Sequence, residues 1–425
     1  MGGEARLIRG VGLAGLCALV INGVIGAGIF ALPYALAQRA GGWTPLIILG
    51  IGLALLPLVF TFSRLSQMFD ETGGPILYAE EAFGPTQGFA VGWLQFLSVA
   101  ASTAANANAL SDYLLGSKAG GTSELVHAIG TLSFLLLVLG LNFMPAKQTA
   151  RFLVLASIAK LVPLVAIAVL AVPYLADAIA NPAAAESWDP GQAILLACYA
   201  MIGFEGMLTM AGEARNPKRD MPRALVSMFL VCTMVYALVA AAYVATVYAP
   251  GKVDSAPIAT MASAMLGPIG GMVALFAVGA SILGNLVLVV LGNSRRLYAM
   301  QQQGNLPTWF GAIHQGSRIP GNAVLAVGVF VIALALSGGF VVLAVLSVAA
   351  RLVVYLACAA ALPVVRRRRG LPVTAVEKVA VGLSITLCGW LALQSSVENW
   401  RGLALALGVG LALRQLTRRA GAMTT

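Results

Sequence analysis

The chain is a succession of long apolar runs separated by short polar turns rich in Gly, Pro and Arg. A run of about 20 apolar residues crosses a bilayer as a helix, so we predict an all-α polytopic membrane protein with about 12 transmembrane helices. The predicted spans cover residues 11–38, 44–69, 85–116, 123–144, 149–176, 190–213, 222–248, 267–301, 322–338, 339–365, 373–394 and 398–416.

The composition agrees with a chain that lies almost wholly in lipid. Hydrophobic residues make up 60% of the sequence and charged residues only 10%, against roughly 25% charged residues in soluble domains. The spans leave no room for a separate soluble domain. The first apolar run continues past Phe30 without a convincing cleavage site, so we expect no cleaved signal peptide.

The distribution of Lys and Arg predicts the orientation in the inner membrane. If the N-terminus is cytoplasmic, 20 of the 26 basic residues fall on the cytoplasmic side and 4 fall outside. Cytoplasmic loops carry such an excess, and one missed helix would reverse every later loop. We therefore expect both termini in the cytoplasm.

The net charge of +10 does not indicate a nucleic-acid partner, because the basic residues lie at the ends of apolar runs without aromatic interleaving. The five cysteines all lie inside apolar runs and have no CxxC spacing. They are typical of small core residues rather than disulfides or metal ligands. We predict neither a metal nor a cofactor, and the sequence leaves the oligomeric state open.

Two spans contain glycine clusters that weaken a helix inside the membrane. Gly23, Gly26 and Gly28 lie within six residues of the first span, and Gly203 and Gly206 flank an acid in the sixth. Unwound backbone is tolerated there only where it is buried in protein or lines a cavity. Paired breaks in corresponding spans of two halves indicate a transporter binding site. The alternative is that these glycines are packing points between helices.

A broken helix supplies the chemistry for an amino-acid ligand. Free amides at Gly26, Ala27 and Gly28, together with the helix dipole, suit a carboxylate. Free carbonyls near Ile21 and Ile202 suit an ammonium group. Polar residues of the third span are possible pocket liners, although such residues more often join helices. The predicted substrate-binding residues are Ile21, Gly23, Gly26, Ala27, Gly28, Tyr199, Ile202, Gly203, Glu205, Thr103 and Asn106.

Three ionisable residues lie deep in spans, where charges are costly and usually functional. Lys160 is the candidate for proton coupling, because burial lowers a lysine pKa; the alternative is a lysine that snorkels to cytoplasmic water. Glu205 either titrates or is a fixed hydrogen-bond acceptor that ties the broken helix to its neighbours. Arg351 either pairs with Glu205 or caps broken-helix carbonyls.

Several motifs resemble those of the amino acid–polyamine–organocation superfamily of permeases. The resemblance covers nearly the whole chain and is most specific after the sixth span. It implies a five-plus-five inverted repeat with discontinuous helices 1 and 6, two extra C-terminal helices, alternating access and a coupling lysine in helix five. The matching segments are 22–30 with Pro33, 73–85, 203–205, 212–224, and 294–300 with Gly304 and Pro307.

These expectations define a domain organisation and a function. We expect a transporter core at 1–365, with repeats at 11–176 and 190–365, and C-terminal helices at 366–425. The predicted function is proton-coupled amino-acid transport, and sodium-independent exchange or export is the alternative. A polytopic membrane enzyme is disfavoured, because no catalytic constellation stands out around the two histidines. An ion channel would need a filter-like loop, which the sequence lacks.

Overall fold

The computed structural model describes residues 12–69, 73–116, 121–143, 164–167, 169–170, 172–174, 176, 180, 182–314 and 319–422, with the backbone alone at 209–213 and 420–422. These residues form helices and turns and no β-strand. The helices are α1 Leu13–Val24, α2 Gly28–Ala40, α3 Thr44–Ser66, α4 Pro75–Phe83, α5 Pro85–Leu115, α6 Glu124–Asn142, α7 Pro190–Met201, α8 Pro217–Thr246, α9 Pro257–Gln302, α10 Gly321–Ser337, α11 Phe340–Arg368, α12 Ala375–Leu393 and α13 Val397–Ala422. Short 3-10 segments occur at Gly41–Trp43, Val172–Tyr174, Phe204–Glu213 and Thr308–Gly311.

The helices follow the predicted spans closely. Eight helical stretches among the described residues are long and apolar enough to cross a membrane, judged by length and composition. Leu13–Val24 and Gly321–Ser337 are shorter apolar helices. Eleven of the twelve predicted spans are represented, and most of the fifth, 149–176, lies outside the described residues. The prediction of an all-α polytopic membrane protein is confirmed.

Two boundaries differ from the predictions because of proline. Helix α8 begins at Pro217 rather than at residue 222, since proline is pre-organised for the first helical position. Helix α9 starts ten residues before the predicted eighth span and kinks at Gly267, where φ is 77°. Pro268 follows that kink, so the stretch 257–266 is a separate helical piece.

Helix α5 lies at the centre of the protein and packs against α11. Its inner turns are rich in buried alanine, including Ala100, Ala104 and Ala107, and small residues let membrane helices approach closely. Ser98 Oγ donates to the Ser347 carbonyl at 2.8 Å, and Ser347 Oγ donates to the Ser98 carbonyl at 2.8 Å. This reciprocal pair fixes the register between α5 and α11.

The two predicted helix breaks are present, and their backbones touch. Residues 25–27 separate α1 from α2, and residues 202–203 separate α7 from the 3-10 segment. A Cβ on Gly23 would lie 2.6 Å from the Gly203 carbonyl oxygen, which is too close for any side chain. Gly203 also has a φ of 108°, a conformation that favours glycine. Both positions therefore require glycine for packing.

Two tyrosines from neighbouring helices fix the backbone of the first span. Tyr236 of α8 donates to the Val24 carbonyl at 3.0 Å, where α1 ends. Tyr113 of α5 donates to the Phe30 carbonyl of α2 at 2.7 Å and accepts from the Ile258 amide at 3.0 Å. The Tyr236 bond satisfies a carbonyl that a continuous helix would have paired internally. The Tyr113 bonds tie α2 to the first turn of α9.

We expect Gly203→Ala to destabilise the protein, because the methyl group would meet the Gly23 backbone and alanine would adopt a positive φ. The conformational cost alone is about 1–3 kcal/mol. Gly206→Ala is the matched control, since a Cβ there meets nothing within 4 Å. Thermal unfolding of the purified proteins should show a lower midpoint only for Gly203→Ala. Equal midpoints would show that the break does not depend on this contact.

Candidate functional site

The break in the first span places backbone amides at the start of α2, and of the three predicted to be free, the one at Gly26 is not. Gly28 is the first residue of α2 and Ala27 is its N-cap, and the first four amides of a helix have no partner inside it. The amide of Gly26 differs, because it donates to the Val24 carbonyl at 2.9 Å. The positive end of α2 is therefore formed by the amides that begin at Ala27 and Gly28.

The carbonyls predicted to hold an ammonium group lie beside the same break. The Ile21 carbonyl accepts from the Ile25 amide at 2.7 Å and retains a second lone pair. The Gly23 carbonyl lies against Gly203. Ile202 is the C-cap of α7 and has an extended backbone, so the chain leaves the helix at this residue.

A chain of polar side chains joins four helices around the first break. The Tyr199 hydroxyl of α7 donates to Asn106 Oδ1 of α5 at 2.7 Å. Asn106 Nδ2 donates to Asn285 Oδ1 of α9 at 3.0 Å, and Asn285 Nδ2 donates to the Asn22 carbonyl of α1 at 3.3 Å. Tyr199, Asn106 and Asn285 are at most 5% exposed. We call these three residues the amide network.

The amide network faces the glycines of the break. A Cβ on Gly26 would lie 3.3 Å from Asn106 Nδ2 and 3.6 Å from Asn285 Oδ1. A Cβ on Gly28 would lie 3.7 Å from the Tyr199 ring. A ligand held on the α2 amides would therefore be next to Tyr199, Asn106 and Asn285.

The structure separates the two polar residues predicted in the third span. Asn106 belongs to the amide network. Thr103 is buried, and its hydroxyl donates to the Val99 carbonyl of its own helix at 2.7 Å. A buried hydroxyl that bonds the preceding turn is already satisfied, so this contact gives Thr103 a role inside α5.

Glu205 is held at the second break by three groups. Its carboxylate forms an ion pair with Arg351 of α11 at 3.1 Å and accepts from the Tyr355 hydroxyl at 2.8 Å. It also accepts from the Gly203 amide at 3.1 Å, which ties the side chain to the unwound backbone. Of the alternatives for Arg351, the structure shows pairing with Glu205.

Arg351 extends this pair to the central helix. Its Nε donates to Ser98 Oγ at 2.9 Å, and Ser98 is one half of the reciprocal contact between α5 and α11. The side chains of Glu205 and Arg351 are 2% and 5% exposed. A buried pair is tolerated when both ions have further hydrogen bonds, and both do here.

Lys160, the residue predicted to couple protons, lies outside the described residues. The sequence analysis missed Asn285, Tyr355 and Ser98, which complete the two networks. Asn285 had a detectable signal, because it is an amide in an apolar run between Leu283 and Val287. Tyr355 follows Arg351 by four residues, a spacing that places both on one helix face.

These features define a polytopic membrane protein whose two interrupted helices meet at a buried polar site. The solved structure of MhsT in complex with L-phenylalanine has the same fold, with a TM-score of 0.59, 14% identity, and coverage of 95% of this chain and 100% of that chain. The sequence model of the amino acid permease family matches residues 11–397, and the chain belongs to this family.

Curated relatives carry transporter names. An uncharacterized transporter of Mycobacterium tuberculosis (strain ATCC 25618 / H37Rv) is 29% identical over 78% of this chain and 74% of its own length. The serine/threonine exchanger SteT of Bacillus subtilis (strain 168) is 29% identical over 78% of this chain and 76% of its own. The cystine/glutamate transporter of Homo sapiens is 27% identical over 76% and 66%. The family and these names indicate a transporter of amino acids rather than an enzyme.

We expect Arg351→Met to destabilise the protein by about 3–5 kcal/mol, because it leaves the Glu205 carboxylate buried without its counter-ion. The double variant Glu205→Gln/Arg351→Met removes both charges and should regain most of that loss. The free energies of unfolding of the wild type and the single and double variants, measured in detergent, give the interaction energy between Glu205 and Arg351.

The exposed pair of Glu81 and Arg369, with side chains 29% and 34% exposed, supplies the control. Glu81→Gln should cost less than about 1 kcal/mol. A single Arg351→Met variant as stable as wild type would contradict the assignment of the buried pair as a structural tie.

Proposed function

We propose that the protein moves amino acids across the plasma membrane by alternating access, with the substrate bound at the break between α1 and α2. The observation that carries this proposal is the set of α2 amides facing the amide network across Gly26 and Gly28. All side chains of the amide network are buried, so a substrate reaches them only when the helices around the break rearrange.

In this proposal the substrate carboxylate binds the amides at Ala27 and Gly28, where the helix dipole is positive. The ammonium group binds carbonyls at Ile21, Gly23 and Ile202. Glu205 acts as a hydrogen-bond acceptor that fixes the second break, which its bonds to Gly203 and Tyr355 support. A single site then holds both charged groups of a zwitterion.

We expect the purified protein in proteoliposomes to take up labelled amino acids, and Gly26→Val to abolish uptake. Valine at this position would place methyl groups against Asn106 and Asn285, where the substrate would lie. Gly50→Val is the control, because a Cβ at Gly50 meets nothing within 4 Å. A folded Gly26→Val variant with wild-type uptake would refute the placement of the substrate. A wild-type protein that moves no amino acid would refute the function itself.

We further propose that transport is driven by protons through Lys160 and needs no sodium. A lysine in an apolar span releases its proton readily. When it is protonated, its ammonium group supplies the positive charge that a bound sodium ion would otherwise provide. Substrate exchange or export is the second candidate, because one relative is named an exchanger and another a cystine/glutamate transporter. Exchange needs no net proton cycle, so the two candidates differ in their response to a pH gradient.

We expect Lys160→Ala to lose accumulation driven by a pH gradient, and Lys160→Arg to fail as a rescue because arginine stays charged. Lys252→Ala, at an exposed lysine, should behave as wild type. Uptake is measured with and without a pH gradient, in sodium and in sodium-free buffer. Sodium-dependent uptake by wild type, or proton-driven accumulation by Lys160→Ala, would reject Lys160 as the coupling residue.

The orientation and the domain division remain part of the proposal. The excess of Lys and Arg on one side supports cytoplasmic termini, which a reporter fused to the C-terminus would test by its activity in the cytoplasm. The 180-residue offset between Gly23 and Gly203 supports repeats at 11–176 and 190–365. The helices of 366–425 then stand outside the inverted repeat.

A further inference from the structure

The amide network lies where the side chain of a bound amino acid would project. Gly26 is the residue of the break that faces it, with a Cβ position 3.3 Å from Asn106 Nδ2 and 3.6 Å from Asn285 Oδ1. We propose that Asn106, Asn285 and Tyr199 form a side-chain subsite that selects short, neutral, hydrogen-bonding side chains, of the class of serine and threonine. This inference rests on the proposed binding of amino acids at the same break.

Charge is the first argument, because Glu205 and Arg351, the ionised pair at the second break, already neutralise each other. Glu205 and Arg351 are paired at 3.1 Å. Their remaining bonds go to Tyr355, the Gly203 amide and Ser98. Neither member of this pair is left to act as the counter-ion of a charged substrate side chain, and an unpaired buried charge is strongly disfavoured.

Hydrogen-bonding capacity is the second argument. A carboxamide offers two hydrogens and two acceptor lone pairs. The bond to Asn285 uses one of the two hydrogens on Asn106 Nδ2. The Tyr199 hydroxyl, which donates to Asn106, lies 3.2 Å from Ser102 Oγ. These groups both donate and accept, as a substrate hydroxyl does, so a hydroxyl can join the network without leaving a buried polar group unpaired.

Space is the third argument. Tyr199 packs edge-on against Phe340 with ring centroids 5.8 Å apart, which closes the subsite on the side of α11. A single carbon added to Gly26 would already lie 3.3 Å from Asn106 Nδ2 and 3.6 Å from Asn285 Oδ1, so the space between them is small. A leucine or phenylalanine side chain would have to displace several buried groups, whereas a hydroxymethyl group requires only a small shift.

The test compares threonine with valine, which has the same shape but lacks the hydroxyl. Uptake of labelled L-threonine into threonine-loaded proteoliposomes is measured against unlabelled threonine, serine, valine, glutamate and lysine. We expect the half-inhibitory concentration of valine to be at least about tenfold higher than that of threonine. A site built around hydrogen bonds rejects the analogue that lacks them. Glutamate and lysine should compete more weakly than serine.

Variants of the subsite residues test whether they cause the preference for threonine. Asn285→Leu keeps a side chain of similar size but removes one hydrogen-bonding group of the network. It should reduce the preference for threonine over valine, measured as the ratio of their half-inhibitory concentrations, at least about threefold. Tyr199→Phe, which removes one hydroxyl, should also reduce this preference. It replaces Asn285→Leu as the test if that variant does not fold. Ser133→Ala on the exposed face of α6 is the control and should keep the wild-type ratio.

The outcomes separate this inference from the proposed function. Transport of valine, glutamate or lysine in preference to threonine would overturn the subsite while leaving amino-acid transport intact. A threonine preference that survives in folded Asn285→Leu and Tyr199→Phe would also overturn it, because the selectivity would then come from other residues. No transport of any amino acid would reject the proposed function and the subsite together.

Discussion

The structure depends on one constraint, which is that backbone groups freed inside a membrane must find partners within the protein. At the two breaks those partners are side chains of α8, of α9 and of the 3-10 segment that follows Gly203. Tyr236 bonds the Val24 carbonyl, Asn285 bonds the Asn22 carbonyl, and Glu205 bonds the Gly203 amide. The unwound segments are therefore defined by α8, α9 and the 3-10 segment as much as by their own glycines.

The pair of Glu205 and Arg351 gives the second break its rigidity and links it to the centre of the protein. From Gly203 the bonds run through Glu205 and Arg351 to Ser98, and so from the sixth span to α11 and α5. Two charges are tolerated in this apolar setting because the ions pair with each other and also bond the Tyr355 and Ser98 hydroxyls and the Gly203 amide. The pair holds three helices in one arrangement.

The sequence allowed most of the fold to be predicted, since apolar runs and glycine clusters are local signals. The breaks at Gly26 and Gly203 were predicted from the glycine clusters in their spans. Asn285 was missed because its contact with Asn106 joins residues 179 positions apart, and only the folded chain brings them together. The start of α8 at Pro217 was missed because its first turn, with Lys218, Arg219 and Asp220, is charged like a loop. Lys160 lies outside the described residues and its role stays a prediction.

The anchoring of the first span to neighbouring helices has a mechanical consequence. The half that ends at Val24 is fastened to α8, and the half that contains Phe30 is fastened to α5 and to the start of α9. Residues 25–27 are the stretch of chain between the two halves. Tyr236 spans this stretch, because its hydroxyl bonds the Val24 carbonyl of α1 and also reaches the Ile29 backbone of α2. A displacement of α8 would therefore be transmitted to both halves through one side chain.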